Sequence, residues 1–413
     1  MTTTRRTLMV GAAALAAPLA APLLAPGIAR AAVMEPIRIG WLAALTGPSS
    51  APAIGFNRGV VFAAQEINAR PAPPGQTVPS QAVNAAGPNR VEIITRDTQG
   101  DPTKAVNATQ ELISRVKVHA IWGPTNSGEA LATTPIMART RMPCIHPCVV
   151  DSLIDPVKYP SAFRMAPSNG QWDDAVRGYV QKQLGAHEVA VFGDTTGYGT
   201  SAVAASVAAF TKDGARVVSQ AQIDANQPDV TPDMLRARDA GAKAIVVWTV
   251  SVGLLSRLMN VRAALGWDVP IAGHPSLGAG EIRSLVEKPA NWEKVYAVGY
   301  KTCSFDAAGK LPPRSQAFVD KLAGKVDLRD TALWWVACGY DAVNLVVQAV
   351  EASGATTPDA IIGHWNSLKR YPGIYGDYTF SPTDHNGYPQ DDVIMSQANS
   401  QRDGAFALAP GYG

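Results

Sequence analysis

Short apolar runs alternate with longer amphipathic stretches along most of this chain. Helical patterns cover 54–68, begin again at Asp101-Pro102, and cover 127–139. The predicted strands are 37–43, 91–95, 118–122, 189–192, 244–248 and 269–272. Near-continuous apolar strands linked by helices indicate parallel sheets that are covered on both faces. Because one sheet does not accommodate this many units, the pattern predicts two α/β domains.

Two segments depart from this alternation. Residues 71–90 are rich in proline and glycine and predict a surface loop between a helix and a strand. After a long predicted helix at 334–351, the chain becomes β-like again at 376–380 and 392–395. We therefore expect the C-terminal part of the chain to contribute strands.

The N-terminal stretch has the pattern of an export signal. Residues 7–29 carry no charge, follow the pair Arg5-Arg6, and lead into an Ala-Arg-Ala sequence that ends at Ala31. A basic start, an apolar middle and this end predict a signal peptide that is cleaved after about Ala31, and hence a periplasmic protein. The arginine pair favours the twin-arginine route, with the general secretory route left open. A retained membrane anchor is disfavoured, because three prolines interrupt an alanine-rich segment.

The charge of the chain does not favour a polyanionic partner. Removing residues 1–31 leaves 382 of the 413 residues, and because that segment carries three arginines and no acid, the net charge falls from +2 to −1. A near-neutral protein has no electrostatic reason to bind nucleic acid or an anionic membrane. No later stretch offers the 18 or more uncharged apolar residues of a second membrane span. The remaining length suffices for two domains with their own cores.

Four cysteines leave two possibilities open. Cys144, Cys148, Cys303 and Cys338 are compatible with disulfides or with buried thiols in an oxidising compartment. Cys144 and Cys148 flank His146, which raises a metal site as an alternative. The spacing is not a standard zinc pattern, and the second half of a four-ligand set is missing. We expect neither a metal nor another cofactor.

The sequence lacks the motifs of the common enzyme classes. The glycine-rich stretch from Gly193 to Gly199 has no Gly-Lys-Ser/Thr ending, which a phosphate-binding loop requires. There is no Gly-x-Ser-x-Gly elbow, His-Glu-x-x-His helix or dinucleotide fingerprint. Cys148 and His146 lie two residues apart with no third group to orient them. We therefore expect a binding protein and not an enzyme.

Six short motifs, in order along nearly all of the predicted mature chain, carry a family resemblance. They are Ile37-Arg-Ile-Gly40 with Leu45-Thr-Gly-Pro48, Gly59 to Asn68, Asp97-Thr-Gln-Gly-Asp-Pro102, Gly123-Pro124 with Ser127-Gly128, Gly197-Tyr198-Gly199, and Gly339-Tyr340-Asp341-Ala342-Val343. In these motifs the chain resembles the periplasmic solute-binding proteins of ABC importers, in the branched-chain amino acid/amide (leucine-isoleucine-valine) group.

The resemblance implies a fold, a mode of action and a partner. The fold is α/β, with two doubly wound parallel-sheet lobes joined by three crossovers (the type I periplasmic binding protein fold) and a ligand cleft between them. Lobe 1 comprises 32–166 and 298–372, and lobe 2 comprises 167–297 and 373–413. Hinge closure captures a small-molecule solute, which a monomeric protein presents to an ABC permease in the inner membrane. A ligand-sensing receptor of the same fold is the alternative.

Five residues are the first candidates for the cleft. Ser127 lies where a predicted strand leads into a helix, a place suited to bind a carboxylate or simply to cap the helix. The resemblance matches Ser127 to the ligand serine of the family, with the amide of Asn126 beside it. Tyr198, flanked by glycines, matches a position that packs over the solute. Trp41 and Trp248, at strand ends, line an apolar pocket or belong to the core.

The resemblance to amino acid binders fails at the positions that pair with the ammonium of the ligand. These acidic positions fall at Asn169 and near Pro275, with Ser251 as a further candidate contact. The loop that usually supplies a threonine reads Cys148-Val149 here. Burying an ammonium without an anionic partner costs on the order of several kcal/mol. The predicted ligand is therefore a carboxylic acid with an apolar or aromatic body, or a neutral amide.

Two histidines complete the candidate set. His146 and His274 stand near two predicted cleft loops, where a ring N–H could donate to an anion or a carbonyl, although each alone also fits a structural role. Glu281 becomes the acidic partner of the ligand if the loop near Pro275 is placed differently.

Overall fold

Two large β-sheets flanked by helices form the framework of the part of the chain that the structure describes, which also contains four sheets of two strands each. The computed structural model describes residues 32–33, 35–71, 76–77, 83–84, 87–88 and 90–412. The predicted export signal and most of the predicted loop at 71–90 lie outside these residues. The predicted fold class, α/β with two parallel-sheet lobes, is confirmed.

The first sheet is built from the N-terminal part of the chain. Its strands are Ile37–Ala43 (β1), Val91–Asp97 (β2), Ala120–Trp122 (β3), Cys144–His146 (β4) and Ala162–Arg164 (β5). They pair in the order β2-β1-β3-β4-β5, and every pairing is parallel. Because parallel strands need a crossover between them, α-helices connect the successive strands from β1 to β4.

The second sheet takes its strands from the middle of the chain and one from its end. The strands are Glu188–Asp194 (β6), Arg216–Ile223 (β7), Ala244–Trp248 (β8), Ile271–Gly273 (β9), Val295–Tyr300 (β10) and Val393–Gln397 (β11). Their order is β7-β6-β8-β9-β10-β11, and β11 pairs antiparallel with β10. The predicted return of the C-terminal part to a sheet is therefore confirmed.

Ten α-helices occur within the described residues. They are Ser50–Asn68 (α1), Pro102–Glu111 (α2), Ser127–Arg139 (α3), Asn169–Gly178 (α4), Gly197–Lys212 (α5), Thr231–Asp239 (α6), Val252–Ala264 (α7), Pro313–Leu322 (α8), Leu333–Ser353 (α9) and Pro358–Trp365 (α10). Side-chain caps start several of them. Asp101 accepts hydrogen bonds from the N–H groups of Thr103 and Lys104 ahead of α2, and Ser168 forms a capping box with Gln171 on α4.

Two glycines allow α1 and α9 to pack closely against each other. A Cβ atom on Gly59 would lie 1.9 Å from the carbonyl oxygen of Val336, and one on Gly339 would lie 2.1 Å from that of Phe56. Because no side chain fits at such distances, both positions require glycine. Helix α9 is long and apolar enough to span a membrane, but 78% of its most apolar 18-residue stretch is buried inside the protein. It is a core helix that packs against α1.

The chain passes between the two sheets three times. It leaves the first sheet after β5, returns to it after β10 with helices α8 to α10, and rejoins the second sheet at β11. All of β10, up to Tyr300, belongs to the second sheet. The exact lobe limits given above remain a prediction.

Candidate functional site

A pocket lies between the two sheets, at the carboxyl ends of their parallel strands. Its empty volume is about 660 Å³, a value that includes the part open to solvent. Seven aromatic side chains line it: Phe56, Trp172, Tyr198, Tyr300, Trp334, Trp335 and Tyr375. The rest of the described wall consists of Ser49, Pro52, Thr125, Asn126, Ser127, Pro147, Cys148, Val149, Ala166, Val250, His274, Pro275 and Cys338. None of these side chains is Asp, Glu, Lys or Arg, so the described wall carries no carboxylate, ammonium or guanidinium group.

Helix α3 begins at the pocket and places Ser127 in its wall. Asn126 caps the helix, because its Oδ1 accepts a hydrogen bond of 2.8 Å from the backbone N–H of Gly128. The Nδ2 atom of Asn126 donates to Ser49 Oγ at 3.3 Å, which ties this end of α3 to the start of α1. A serine hydroxyl beside the positive end of a helix dipole is suited to bind a carboxylate oxygen.

The loop after β4 contributes a neutral thiol to the same wall. Cys148 Sγ donates to the carbonyl oxygen of Pro124 at 3.0 Å, and burial raises the pKa of this thiol well above its ordinary value. His146 lies behind it, where its Nδ1 accepts a hydrogen bond of 3.2 Å from the backbone N–H of Cys148. Burial lowers the pKa of His146 to about 3. Cys148 is therefore a small apolar contact for a ligand and not a nucleophile.

Helix α5 presents Tyr198 from the second sheet. Thr196 caps this helix by accepting a hydrogen bond of 3.2 Å from the backbone N–H of Gly199. Tyr198 is buried in the first turn, and its hydroxyl makes no hydrogen bond to any described residue. The start of α5 also meets the start of α3, since a Cβ on Gly197 would lie 3.3 Å from the Cα of Gly128. Two helix N-termini therefore approach each other at the edge of the pocket.

His274 stands at the end of β9 as a neutral imidazole. Its Nδ1 accepts a hydrogen bond of 3.0 Å from the backbone N–H of Ser276, and burial lowers its pKa to about 3. A neutral ring that accepts at Nδ1 carries its proton on Nε2. The ring packs edge-to-face against Trp172 and Tyr198, with centroid distances of 5.1 and 5.4 Å. His274 thus offers the pocket a hydrogen-bond donor.

A buried carboxyl group holds the loop that carries Tyr375. Asp341 on α9 accepts hydrogen bonds from the backbone N–H groups of Ile374 and Tyr375, at 3.0 and 2.8 Å, and from Tyr378 Oη at 2.9 Å. Burial raises the pKa of Asp341 to about 7. The Gly-Tyr-Asp motif in the sequence therefore acts on the pocket indirectly, by fixing one of its aromatic walls.

The structure brings six of the eleven candidate residues together. Asn126, Ser127, Cys148, Val149, Tyr198 and His274 all line the pocket. The other five lie outside its wall and make contacts of their own. Trp41 stacks on Trp122 and donates to Asn57, while Trp248 is fully buried under the sheet.

The remaining three of those five occupy helix starts or the core. His146 is buried behind Cys148, as described above. Asn169 begins α4 and donates its backbone N–H to the carbonyl oxygen of Val149 at 2.7 Å. Ser251 caps α7 by accepting from the N–H of Leu254 at 3.3 Å. Near Pro275, the residue that points to the pocket is His274 and not Glu281, which is absent from the wall.

Most of the aromatic wall could not be found from the sequence. Phe56 and the pair Trp334-Trp335 lie on α1 and α9, nearly 280 residues apart, and meet at the pocket because these helices pack together. Tyr300 at the end of β10 carried a usable signal, since it ends an apolar strand on the cleft side. Trp172 lies one helical turn after Asn169, a position where a pocket contact and a core contact look alike.

The open question of the cysteines is answered in favour of buried thiols. Cys144, Cys148, Cys303 and Cys338 are all unpaired and buried. Among the residues that the structure describes, no group of three or more His, Cys, Asp or Glu side chains is arranged to hold a metal ion.

Comparison with known proteins agrees with this architecture. Residues 36–404 match the periplasmic binding protein family. A Leu/Ile/Val-binding protein homologue of Brucella suis is 25% identical over 329 residues, which cover 79% of this chain and 78% of that protein. The chain therefore spans most of the length of this relative.

Solved structures share the fold over nearly the whole chain. The substrate-binding protein of a branched-chain amino acid transporter from Streptococcus pneumoniae, in complex with isoleucine, superposes with a TM-score of 0.73 at 21% identity, covering 90% of this chain and 98% of that one. An ABC transporter solute-binding protein from R. palustris in complex with 4-hydroxybenzoate has a TM-score of 0.72 at 21% identity, covering 91% and 96%. The chain thus belongs to the periplasmic binding protein family.

Proposed function

We propose that this protein is exported, captures a small carboxylic acid in the pocket by closing its two lobes, and delivers it to the permease of an ABC importer. The observation that carries the proposal is the composition of the pocket wall. Among the described residues this wall has no Asp, Glu, Lys or Arg side chain, and it has Ser127 at the start of a helix. A neutral amide is the other solute class that suits such a wall.

The chemistry of the wall favours a carboxylate over an ammonium. An ammonium in this pocket has no carboxylate to pair with, which costs on the order of several kcal/mol. A carboxylate can accept from the Ser127 hydroxyl and from N–H groups at the start of α3, where the helix dipole is favourable. The seven aromatic side chains suit an apolar or aromatic body. Of the two ligands bound in the structural relatives above, this wall resembles a site for the aromatic acid more than one for the amino acid.

The proposal includes the limits of the two lobes, the hinge between them and the export of the protein. Lobe 1 comprises 32–166 and 298–372, lobe 2 comprises 167–297 and 373–413, and the three crossovers between them serve as the hinge. Residues 1–31 direct export and are removed after about Ala31. The protein acts as a monomer that meets its permease with the solute enclosed.

Thermal-shift screening tests the solute class directly. The purified protein is heated with amino acids, with aromatic and aliphatic carboxylic acids that lack an amino group, and with short amides. A solute that binds the folded state raises the melting temperature, because binding adds to the free energy of unfolding. We expect carboxylic acids to raise it and leucine-like amino acids to leave it unchanged. Stabilisation by amino acids alone would refute the proposed solute class.

Replacing Ser127 tests its role in the site. We expect Ser127→Ala to weaken binding of the best acid roughly ten-fold or more, because a hydrogen bond to a charged group is lost. Ser256→Ala is the matched control, since Ser256 is also buried in a helix, where it donates to the carbonyl oxygen of Val252 outside the pocket. Isothermal titration gives the affinities, and thermal unfolding without ligand checks the fold. Unchanged affinity in Ser127→Ala would remove this serine from the site.

A further inference from the structure

Three side chains form the wall of the pocket on the side of the second sheet, and each of them carries a hydrogen-bond donor. Trp172 lies on α4, Tyr198 on α5, and His274 follows β9. Because both aromatic rings pack edge-to-face on the imidazole of His274, the three side chains form a single cluster. We call this cluster the donor wall.

The donors of the donor wall are short of acceptors within the protein. The Tyr198 hydroxyl is buried and makes no hydrogen bond within the described part of the chain, and the Trp172 indole N–H has beside it only the hydroxyl of Tyr300, another residue of the pocket wall. Trp172 and Tyr198 are only 6% and 4% exposed. A buried polar group without a partner destabilises the folded protein, so a solute that pairs with it gains affinity.

The third member of the donor wall is fixed as a donor by its own loop. The backbone N–H of Ser276 donates a hydrogen bond to Nδ1 of His274, so the proton of the neutral ring is on Nε2. A buried neutral imidazole held in this way offers its remaining nitrogen to a ligand only as an N–H group. The donor wall therefore presents three donors to the pocket.

The donors of the pocket exceed the needs of one carboxylate. On the side of the first sheet, Ser127 and the N-terminus of α3 can already bind a carboxylate, and Trp334 adds another buried indole N–H without a described partner. The amide oxygen of Asn126, in contrast, is already bonded to the N–H of Gly128. The unpaired polar groups of the wall thus point to a solute with more than one acceptor.

We propose that the solute carries a second acceptor oxygen besides its carboxylate, as a ring hydroxyl, an ether or a carbonyl, and that the donor wall binds this oxygen. The inference rests on the proposed function, because it assigns the carboxylate of the solute to the Ser127 side of the pocket. An ammonium group can only donate, so at the donor wall it finds a single acceptor, the Tyr198 oxygen, beside two groups that only donate. Selection against amino acids then follows from the donors as well as from the lack of an acid.

A series of matched acids tests the proposal on the wild-type protein. The acids are 4-methylbenzoate, which has no acceptor on its substituent, 4-methoxybenzoate, which only accepts, 4-hydroxybenzoate, and the 3-substituted form of each. By isothermal titration we expect the best methoxy or hydroxy acid to bind roughly three- to ten-fold tighter than the corresponding methyl acid. Equal affinities at both ring positions would overturn the proposal.

Two variants locate the donors. Tyr198→Phe removes only the hydroxyl, and His274→Asn removes the Nε2 donor while leaving an amide oxygen that can accept from Ser276. We expect each to weaken binding of the methoxy acid roughly three- to ten-fold, while binding of the methyl acid changes less than about two-fold. Tyr179→Phe is the matched control, because Tyr179 is also buried with an unpaired hydroxyl but does not line the pocket.

The outcomes separate this inference from the proposed function. If Tyr198→Phe weakens the methyl and methoxy acids equally, its hydroxyl serves the carboxylate and the second-acceptor proposal is wrong, while the proposed function stands. The same holds if an aminomethyl substituent binds better than a methoxy substituent. If no carboxylic acid binds and an amino acid does, the proposed function itself fails.

Discussion

At the scale of single residues, the most unusual group near the site is a buried carboxyl. Glu129 lies on α3, two residues after Ser127, and is fully buried, with the Thr98 hydroxyl and the backbone N–H of Asn126 beside its carboxyl group. Burial raises its pKa from 4.5 to about 7, and the nearby carboxylates of Asp101 and Asp97 add to the rise. Between pH 4.5 and 7 the folded protein thus keeps a proton that the unfolded chain has lost. Stability contributed by this group falls as the pH rises through that interval.

Glu129→Gln should remove this pH dependence, because glutamine resembles the protonated acid. The rise of the pKa to about 7 corresponds, at about 1.4 kcal/mol per pH unit, to at most about 3 kcal/mol. We expect the variant to exceed the wild type in free energy of unfolding by up to that amount at pH 8, and to match it at pH 4.5. Urea denaturation at both pH values measures this difference in the free energy of unfolding. Glu92→Gln, at an exposed position of β2, is the control. A constant difference across pH would show that Glu129 does not titrate there.

The two histidines show how far residue-level prediction reaches. The sequence places His146 and His274 at strand ends beside cleft loops, and both hold their Nδ1 against the backbone N–H two residues on. Only His274 lines the pocket. Both precede a proline, so the local sequence does not separate them. What separates them is packing by distant residues, since Trp172 and Tyr198 surround one ring and Arg164 lies near the other.

At the scale of elements, seven of the eleven strands in the two large sheets were predicted, whereas β4, β5, β7 and β10 and the points where elements meet were not. Helix α3 was predicted at 127–139, the bounds that the structure has, because an apolar strand and a Gly-Pro turn precede it. Helix α1 begins at Ser50, earlier than the predicted 54, since Pro52 is tolerated in a first helical turn. The contact between the starts of α3 and α5 depends on how the two sheets face each other, which no local pattern encodes.

That contact predicts a graded effect of side-chain size at Gly197. The nearest atoms to a Cβ built there all belong to α3, namely Gly128 Cα at 3.3 Å, Gly128 N at 3.9 Å and Leu131 Cδ1 at 3.9 Å. Gly197→Ala should weaken solute binding slightly. Gly197→Val should weaken it by about 1–3 kcal/mol, as expected when a tight contact is overfilled. Isothermal titration against the best acid measures both.

The control for this series is a glycine in an open place. A Cβ on Gly178 of α4 meets nothing within 4 Å, so Gly178→Ala and Gly178→Val should leave affinity unchanged. Thermal unfolding without ligand should be similar for the two variants at Gly197 and the wild type, since an open molecule has room for the added methyl groups. Equal affinity of Gly197→Val and wild type would mean that α3 and α5 need not touch in the bound form.

At the scale of the whole molecule, the architecture was predicted through the family motifs, whereas the pocket wall needed the structure. The motifs imply two parallel-sheet lobes with a cleft at the carboxyl ends of their strands, where the pocket lies. They do not reveal that Phe56, Trp334 and Tyr375 meet there, because these residues come from three distant segments of the chain. Aromatic residues at such positions pack equally well into a core. The lack of an acid was predicted at two positions, of which Pro275 lines the pocket and Asn169 does not.

A reversible lock between the lobes tests whether solute exchange requires the molecule to open. Gly128 and Gly197 face each other across the pocket edge, where a Cβ on Gly197 would lie 3.3 Å from the Cα of Gly128, so a small outward shift of the two helix starts would bring a pair of cysteines to disulfide geometry. Cys148 and Cys338 line the pocket, so the single cysteine variants also show any pairing of an introduced cysteine with a native thiol. If the lobes must part, oxidation of Gly128→Cys/Gly197→Cys with solute bound should trap it, and oxidation without solute should abolish binding until a reductant is added. Each single cysteine variant is the control, and retention of radiolabelled solute during dialysis is the measurement. Exchange at the wild-type rate in the oxidised double variant would mean that the solute enters by a route other than the cleft between α3 and α5.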